Sequence, residues 1–257
     1  GRAEGRRDHR EGRDRLIFFI SDLHLSPRSP GATALFLRFL AGRARQAEAL
    51  YILGDLFEVW VGDDIDDPYH NRITAALRAA SDAGLKIYVM HGNRDFALGE
   101  DFARAAGVSL LPDPYDLTLP EWSFVLSHGD ALCLDDLAYQ AYRAKVRDPE
   151  WQRKMRAKPR FLRSLLGRYI RWRSGRRKRD DSYVYADLQP AATDDFLRDH
   201  GYTTFIHGHT HRAATHDHIV DGIHVERWVL ADWHEDRGEA LAWNGEALTR
   251  EAILPES

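Results

Sequence analysis

Five short apolar runs in this chain each end in a cluster of polar residues and glycines. Their lengths and their content of β-branched and aromatic residues are typical of buried strands. The predicted strands are Leu16–Ile20, Leu50–Leu53, Lys86–Met90, Ser123–Leu126 and Thr203–Ile206. Helical periodicity over Thr33–Ala47 and Tyr69–Ala83 separates the first three of them, and Gly84 closes the second helix.

The end of the chain has a different pattern. Residues 213–254 are predicted to form successive strands, with turns at Asp221-Gly222 and Asn244-Gly245. Alternating strands and helices that give way to a run of strands predict an α/β sandwich with a mixed sheet.

The polar clusters follow the predicted strands, and an open α/β sheet binds its ligands at the carboxyl ends of its strands. Each cluster alone is typical of a turn, but five in this context predict one shared site. The glycines in them allow close backbone approach. The clusters are Ser21-Asp22-Leu23-His24, Gly54-Asp55, His91-Gly92-Asn93-Arg94-Asp95, Ser127-His128-Gly129-Asp130 and His207-Gly208-His209-Thr210-His211.

These clusters supply carboxylate, amide and imidazole ligands without a thiolate, a set that suits Mn²⁺, Fe²⁺ or Zn²⁺. Seven ligands are too many for one tetrahedral ion and fit two. Two ions about 3.5–4 Å apart can clamp both oxygens of a phosphoryl displacement, so we predict hydrolysis of a phosphate ester or anhydride. The candidate ligands are Asp22, His24, Asp55, Asn93, His128, His209 and His211.

The charge is unevenly distributed along the chain. Residues 143–179 hold 16 lysines and arginines against two acidic residues, which leaves 20 of the 36 basic and 38 of the 40 acidic residues elsewhere. Apolar residues at helical spacing, among them Phe161 and Leu165, are interleaved with this charge. Such a basic amphipathic segment suits an anionic membrane surface, an acidic ligand or nucleic acid.

Two further features limit the class of protein. No apolar run approaches the roughly 18 residues of a membrane span, and the start of the chain has no apolar segment typical of a secretory signal. Cys133 is the single cysteine, which excludes an intrachain disulfide. We therefore expect a soluble, cytosolic protein.

Together, the motifs Asp-x-His, Gly-Asp, Gly-Asn-x-Asp, His-Gly-Asp and Gly-His-Thr-His resemble those of the calcineurin-like metallophosphoesterase superfamily. The resemblance extends from about Phe18 to Trp233 and omits the basic insert. It implies a four-layered α/β/β/α sandwich of mixed sheets with an inserted helical lid. The expected parts are a mobile tail at 1–15, a core at 16–135 and 181–257, and a basic amphipathic lid at 136–180.

A closer resemblance comes from Gly92-Asn-Arg-Asp95, where the superfamily motif has His in place of Arg94. This motif, Tyr51–Glu58 and Ser127–Asp136 are similar to the UDP-2,3-diacylglucosamine pyrophosphatase family of lipid A biosynthesis. The resemblance implies a monomeric peripheral enzyme on the cytoplasmic face of the inner membrane, with Mn²⁺ as the favoured metal. It would hydrolyse its substrate to UMP and 2,3-diacylglucosamine 1-phosphate (lipid X), and no nucleic acid partner is expected.

The resemblance also assigns the metal ligands. One ion would be held by Asp22, His24 and His211, the other by Asn93, His128 and His209, with Asp55 bridging the two. A hydroxide shared by the ions would attack the α-phosphorus, and Arg94 would neutralise phosphate charge. The expected catalytic residues are Asp55, Asn93, Arg94 and His128.

Several neighbouring residues have expected supporting roles. Asp130 and Asp95 would orient His128 and the Asn93 loop. His207 and His91 are expected to be structural, and Glu58 either supports the metal site or forms a surface ion pair. The expected substrate-binding residues are Asn93, Arg94, Asp136, Tyr139, Arg171, Arg173, Ser174 and His209.

Two alternative functions stay open. A phosphodiesterase or nuclease on the same scaffold would also use a basic insert and would bind nucleic acid with strong salt dependence. A non-catalytic scaffold of the same fold would have no reason to keep the complete ligand set. Metal content of the purified protein separates an enzyme from a scaffold.

Overall fold

A computed structural model describes residues 16–120, 122–167 and 187–255. The predicted tail at 1–15 and the predicted substrate-binding residues Arg171, Arg173 and Ser174 lie outside the described residues. Within these residues, eleven strands form two mixed sheets.

The first sheet has six strands in the order β11-β10-β1-β2-β3-β4, with β1 to β4 parallel. Its strands are β1 (Ile17–Ile20), β2 (Ala49–Leu53), β3 (Lys86–Met90), β4 (Ser109–Leu111), β10 (Gly238–Trp243) and β11 (Leu248–Ile253). The second sheet has five strands in the order β5-β6-β7-β9-β8, with β6, β7 and β9 parallel. Its strands are β5 (Tyr115–Thr118), β6 (Ser123–Ser127), β7 (Thr204–His207), β8 (Ala214–Val220) and β9 (Ile223–Val229).

Helices cover the outer faces of both sheets. The helices are α1 (Pro30–Ala41), α2 (Pro68–Asp82), α3 (Glu100–Ala106), α4 (Leu137–Arg147), α5 (Pro149–Arg156) and α7 (Pro190–Asp199), of which α1 to α3 cover the first sheet and α7 the second. A further helix, α6, is described over residues 160–167. Among the helices that the structure describes, none combines the length and apolar composition that a membrane span requires.

Three apolar cores separate four layers, which confirms the predicted α/β/β/α sandwich. Alternation along β1 places Phe18 and Ile20 in the core beneath α1 to α3, while Ile17 and Phe19 enter the core between the sheets. The third core lies between the second sheet and α7, where Leu197 is fully buried.

The main differences from the predicted elements concern short segments. The helix predicted over Thr33–Ala47 ends at Ala41 because Gly42 leaves the helical conformation (φ −118°, ψ −93°), and Arg43–Gln46 forms a 3₁₀ turn. The strands β4 and β5 and the helix α3 were not predicted, since three to seven residues carry too little periodicity. The two turns predicted near the end of the chain connect β8 to β9 and β10 to β11, as expected.

Candidate metal centre

All seven predicted ligands lie just after strands whose carboxyl ends meet at one edge of the sandwich. Asp22 and His24 follow β1, Asp55 follows β2 and Asn93 follows β3, while His128 follows β6 and the last two histidines follow β7. The two sheets are joined here because Asp22 Oδ2 accepts a hydrogen bond from the His209 backbone N–H (2.8 Å). The structure thus brings the predicted set together.

The first ligand group contains Asp22, His24 and His211, whose donor atoms lie within 4.8 Å of one another. Both imidazoles have their Nδ1 atoms on carboxylates, His24 on Glu58 (3.0 Å) and His211 on Asp232 (3.1 Å). Their Nε2 atoms lie 3.3 Å apart, and Asp22 Oδ1 lies 3.2 Å from that of His211. Asp22 Oδ1 is buried, and none of the described residues donates to it with good hydrogen-bond geometry. Lone pairs that converge in this way fit a bound cation.

The second group surrounds the Asn93 side chain. Its Oδ1 position lies 3.2 Å from His128 Nε2, 3.0 Å from Asp55 Oδ2 and 3.3 Å from His209 Nδ1. His128 Nδ1 lies 2.9 Å from the carbonyl oxygen of Leu53, which leaves Nε2 with its lone pair toward the group. With the amide nitrogen at that position, Asn93 can donate to two of these three neighbours at a time. With the oxygen there, four lone-pair groups meet as they do around a metal ion.

Asp55 lies between the two groups. Its Oδ2 atom is 3.8 Å from His24 Nε2 and 3.9 Å from His128 Nε2, while Oδ1 accepts the Arg94 backbone N–H (2.8 Å). Donor atoms of Asp22, Asp55 and His128 also lie within 4.8 Å of one another. The donor set is therefore continuous, and it fits divalent metal ions.

The carboxylates make this cluster strongly attractive to positive charge. Burial lowers the pKa of the His211 imidazole, but Asp22 and Asp232 outweigh it and raise the value to about 10. Burial likewise lowers the pKa of His128, yet Asp55 and Asp22 raise it to about 9. Without a metal ion, the His211 and His128 imidazoles are therefore protonated at neutral pH.

The backbone at the site is strained at the ligands themselves. Positive φ values in non-glycine residues cost of order 1–3 kcal/mol and persist only where the surroundings enforce them. Here the chain segments after β1 and β2 enforce them, since the His24 N–H donates to the Asp55 carbonyl oxygen (2.9 Å). The five ligands concerned are Asp22 (55°), His24 (48°), Asp55 (52°), His209 (69°) and His211 (56°).

One of the two predicted supporting acids has the expected role. Asp95 is buried and accepts the backbone N–H groups of Gly92 (2.8 Å) and Leu56 (2.8 Å), so it orients the Asn93 loop. The prediction that Asp130 orients His128 is wrong. After Gly129 (φ 99°) the chain turns, and the Asp130 carboxylate faces α4 instead.

Three of the predicted substrate-binding residues outside the ligand set are described by the structure, and each has a different environment. Tyr139 lies at the centre, with its ring 5.2 Å from the His209 ring and its hydroxyl donating to Asp130 (2.7 Å). Asp136 caps α4 by accepting the Tyr139 backbone N–H (2.9 Å). Arg94 lies at the edge of the cluster with its guanidinium 3.6 Å from Glu58.

The predicted structural histidines make contacts away from the metal ligands. Burial lowers the pKa of His207 to about 3, and its Nε2 lies 3.1 Å from the Arg227 guanidinium. His91 Nε2 lies 2.7 Å from the Leu98 carbonyl oxygen. Both side chains hold local backbone together, as predicted.

Two carboxylates that lie against predicted ligand imidazoles, Glu58 and Asp232, do not follow from the sequence pattern. The sequence leaves Glu58 open between a supporting role and a surface ion pair, and it does not predict Asp232. Asp232 lies three residues after β9, which runs parallel to β7 and so ends at the same edge. The sequence signal for Asp232 is therefore its position after a strand, β9, that is parallel to two of the strands preceding the predicted ligands, β6 and β7.

This fold with this donor set belongs to a known class of protein. The family model of the calcineurin-like phosphoesterases matches residues 15–213, and the chain belongs to that family.

Two relatives that are each more than 40% identical to this chain share one name within the family. The UDP-2,3-diacylglucosamine hydrolase of Aromatoleum aromaticum is 47% identical over 227 residues, which cover 88% of this chain and 92% of the relative. The protein of the same name from Stenotrophomonas maltophilia (strain K279a) is 44% identical over 244 residues, covering 91% and 98%. Among solved structures, an archaeal phosphodiesterase aligns over 93% of the chain at 12% identity and a TM-score of 0.47, a likeness too distant to bear on the assignment.

Proposed function

We propose that the protein is a metal-dependent hydrolase that splits the pyrophosphate of UDP-2,3-diacylglucosamine into UMP and 2,3-diacylglucosamine 1-phosphate. The observation that carries the proposal is the convergence of buried carboxylate and imidazole donors beside Arg94. The names of relatives that overlap nearly the whole chain support this substrate over nucleic acid, and a complete donor set speaks against a non-catalytic scaffold.

Two divalent ions, with Mn²⁺ favoured, suit the donor set in this proposal. Asp22, His24 and His211 would hold one ion and Asn93, His128 and His209 the other, with Asp55 shared. Oxygen and nitrogen donors without a thiolate support this choice of metal. When bound, such ions supply Lewis acidity toward water and the phosphate oxygens.

Arg94 is the phosphate-binding residue. Its backbone is fixed on Asp55, its side chain is 11% exposed, and Glu58 lies on one side of the guanidinium. A planar guanidinium pairs with two phosphoryl oxygens at once. Held at the edge of the donor cluster, it stabilises the negative charge that accumulates on the α-phosphate in the transition state.

The acylated sugar occupies the side of the centre that α4 covers. Tyr139 presents its ring over His209 there, and Asp136 lies at the start of the same helix. Arg171, Arg173 and Ser174, in the lid at 136–180, complete the substrate-binding set of this proposal.

The enzyme acts as a monomer on the cytoplasmic face of the inner membrane. Phe161, Leu162 and Leu165 of α6 are exposed large apolar side chains, and they lie in the basic segment of the chain. Exposed apolar side chains among lysines and arginines favour an anionic lipid surface, where the substrate resides.

The proposal is tested by ³¹P NMR of UDP-2,3-diacylglucosamine turnover in detergent, with Mn²⁺ and ¹⁸O-water. We expect the ¹⁸O label in UMP, because attack is on the α-phosphorus. Asp55→Ala should abolish turnover, whereas Asp116→Ala, which removes an exposed carboxylate paired with His200, should not. Absence of cleavage alongside hydrolysis of an aryl phosphodiester would refute the substrate, and label in the sugar phosphate would refute the site of attack.

A further inference from the structure

The insertion helix α4 is fastened by two arginines to carboxylates buried beside the metal ligands. Arg143 Nε lies 3.0 Å from Asp130 Oδ2. Arg147 Nη2 lies 3.7 Å from Asp130 Oδ2 and 3.7 Å from Asp113 Oδ2. The Asp130 and Asp113 side chains are 0% and 3% exposed. These are partly desolvated ion pairs, and removing one partner leaves a buried charge uncompensated.

Asp130 belongs to the turn that carries His128, and Asp113, between β4 and β5, is hydrogen-bonded to it. Asp130 follows His128 by two residues. Asp113 accepts a hydrogen bond (2.6 Å) from the hydroxyl of Ser127, the residue before His128. The chain from Ser127 to Asp130 is therefore connected to α4 on both sides of the ligand.

Arg147 also reaches the turn that carries Asn93 and Arg94. Its Nη2 donates to the carbonyl oxygen of His91 (3.2 Å). A single guanidinium thus joins α4 to the backbone of the Asn93 turn and to the Asp130 side chain of the His128 turn.

The other end of α4 places an aromatic side chain over the metal centre. The Tyr139 hydroxyl donates to the same Asp130 oxygen that faces the two arginines, and its ring packs on His209. The position of this ring therefore depends on the whole ion-pair cluster.

We propose that Arg147, assisted by Arg143, is a positioning residue that fixes α4 and hence Tyr139 over the metal centre, so that the acylated sugar binds in register with the ligand-bearing turns. This role rests on the proposed function, since it concerns the part of the substrate beyond the phosphates. Arg147 itself touches neither the metal ligands' donor atoms nor the phosphate-binding guanidinium in the contacts described.

The test compares Arg147→Met with Lys145→Met, which removes an exposed cation from the same helix. For Arg147→Met we expect KM for UDP-2,3-diacylglucosamine to rise about tenfold or more. Hydrolysis of bis(p-nitrophenyl) phosphate, which has no acylated sugar to be aligned by α4, should change far less, and the bound metal content should stay unchanged. Lys145→Met should match the wild type on both substrates.

Hydrogen exchange gives a readout that needs no substrate. Arg147→Met should speed amide exchange in α4 and leave β6 and β7 protected. Unchanged exchange in α4, an equal loss on both substrates, or loss of bound metal would overturn the positioning role. A wild type inactive on the sugar nucleotide would refute the proposed function, and exchange would still decide whether the arginine holds α4. Arg143→Met is measured in the same way if Arg147→Met does not fold.

Discussion

At the scale of single residues, the site depends on how the imidazoles are held as much as on which residues bind metal. Asp232, 3.1 Å from His211 Nδ1, fixes the tautomer that presents Nε2 to a cation, and Glu58 lies 3.0 Å from His24 Nδ1. Loss of such a partner in metal sites costs about 10–100-fold in metal affinity.

Asp232→Asn is therefore expected to weaken Mn²⁺ binding about 10–100-fold while the fold is retained. Titration calorimetry of the metal-free protein measures the affinity, and circular dichroism checks the fold. Asp217→Asn is the matched control, because it breaks an exposed Asp–His pair with His224 (2.8 Å) far from the ligands. Equal affinities for the two variants would show that Asp232 does not orient His211.

Metal binding should also displace protons. In the metal-free protein the pKa values of His211 and His128 are raised to about 10 and about 9, so both imidazoles are charged at pH 7. Because a cation binds only their neutral forms, Mn²⁺ affinity should rise from pH 6 to pH 9, by up to about tenfold per pH unit for each proton displaced. Calorimetry in buffers of different ionisation enthalpy counts the released protons, and a buffer-independent enthalpy at pH 7 would contradict this expectation.

The convergence of the predicted ligands could be predicted from the sequence, but their supporting contacts could not. Asp22, Asn93 and His128 stand directly after apolar runs, which is a local signal. Asp232 reaches His211 only because β9 lies beside β7, and Asp130 faces α4 only because Gly129 turns the chain. Both facts depend on tertiary packing between segments distant in sequence.

At the scale of elements, the turns after the strands approach one another too closely for side chains. A Cβ atom at Gly92 would overlap the backbone nitrogen and carboxylate of Asp55. Close approach is therefore the reason that this turn requires glycine. A left-handed backbone is not the reason, since the φ of Gly92 is not in the left-handed region.

Gly92→Ala is expected to destabilise the protein by about 1–3 kcal/mol through overpacking, and to reduce bound Mn²⁺ because Asp55 must move. Gly84→Ala is the control, since Gly84 has φ 101° but nothing within 4 Å of an added Cβ. That variant should lower thermal stability through backbone strain and keep its full metal content. If both variants retain metal, the close approach at Gly92 does not position Asp55.

The same scale shows where sequence periodicity fails. The long strands and α2 follow from apolar patterns, whereas α1 is shorter than predicted because Gly42 ends it. The inner face of α6 was also unpredicted: Arg163 is buried and donates to the Val61 carbonyl oxygen (2.9 Å) and to Asp64 Oδ1 (2.7 Å). An arginine in a basic run gives no sign that it is buried.

At the scale of the whole molecule, the attachment of Arg163 to Val61 and Asp64 determines which side of α6 faces outward. Arg163 fixes one face of the helix on the body, so Phe161 and Leu165, one turn apart, project from the other at 64% and 53% exposure. In the sequence these residues lie in a basic segment, whereas the rest of the chain is acidic, and an excess of positive charge favours anionic surfaces.

The double substitution Phe161→Ser and Leu165→Ser should therefore weaken binding to vesicles that contain anionic lipid. Burying such side chains contributes about 1.5–3 kcal/mol each when complete, so partial insertion of both predicts a loss of about tenfold or more in vesicle affinity. Hydrolysis of a soluble aryl phosphodiester should not change. Vesicle sedimentation measures the binding, and Ile219→Ser, at 69% exposure on the edge strand β8, is the matched control.

Since about 1 kcal/mol per nearby Lys or Arg comes from charge, binding of the wild type should also fall with salt and with neutral lipid. Equal binding by the double variant and the control would contradict a role of α6 in binding anionic lipid.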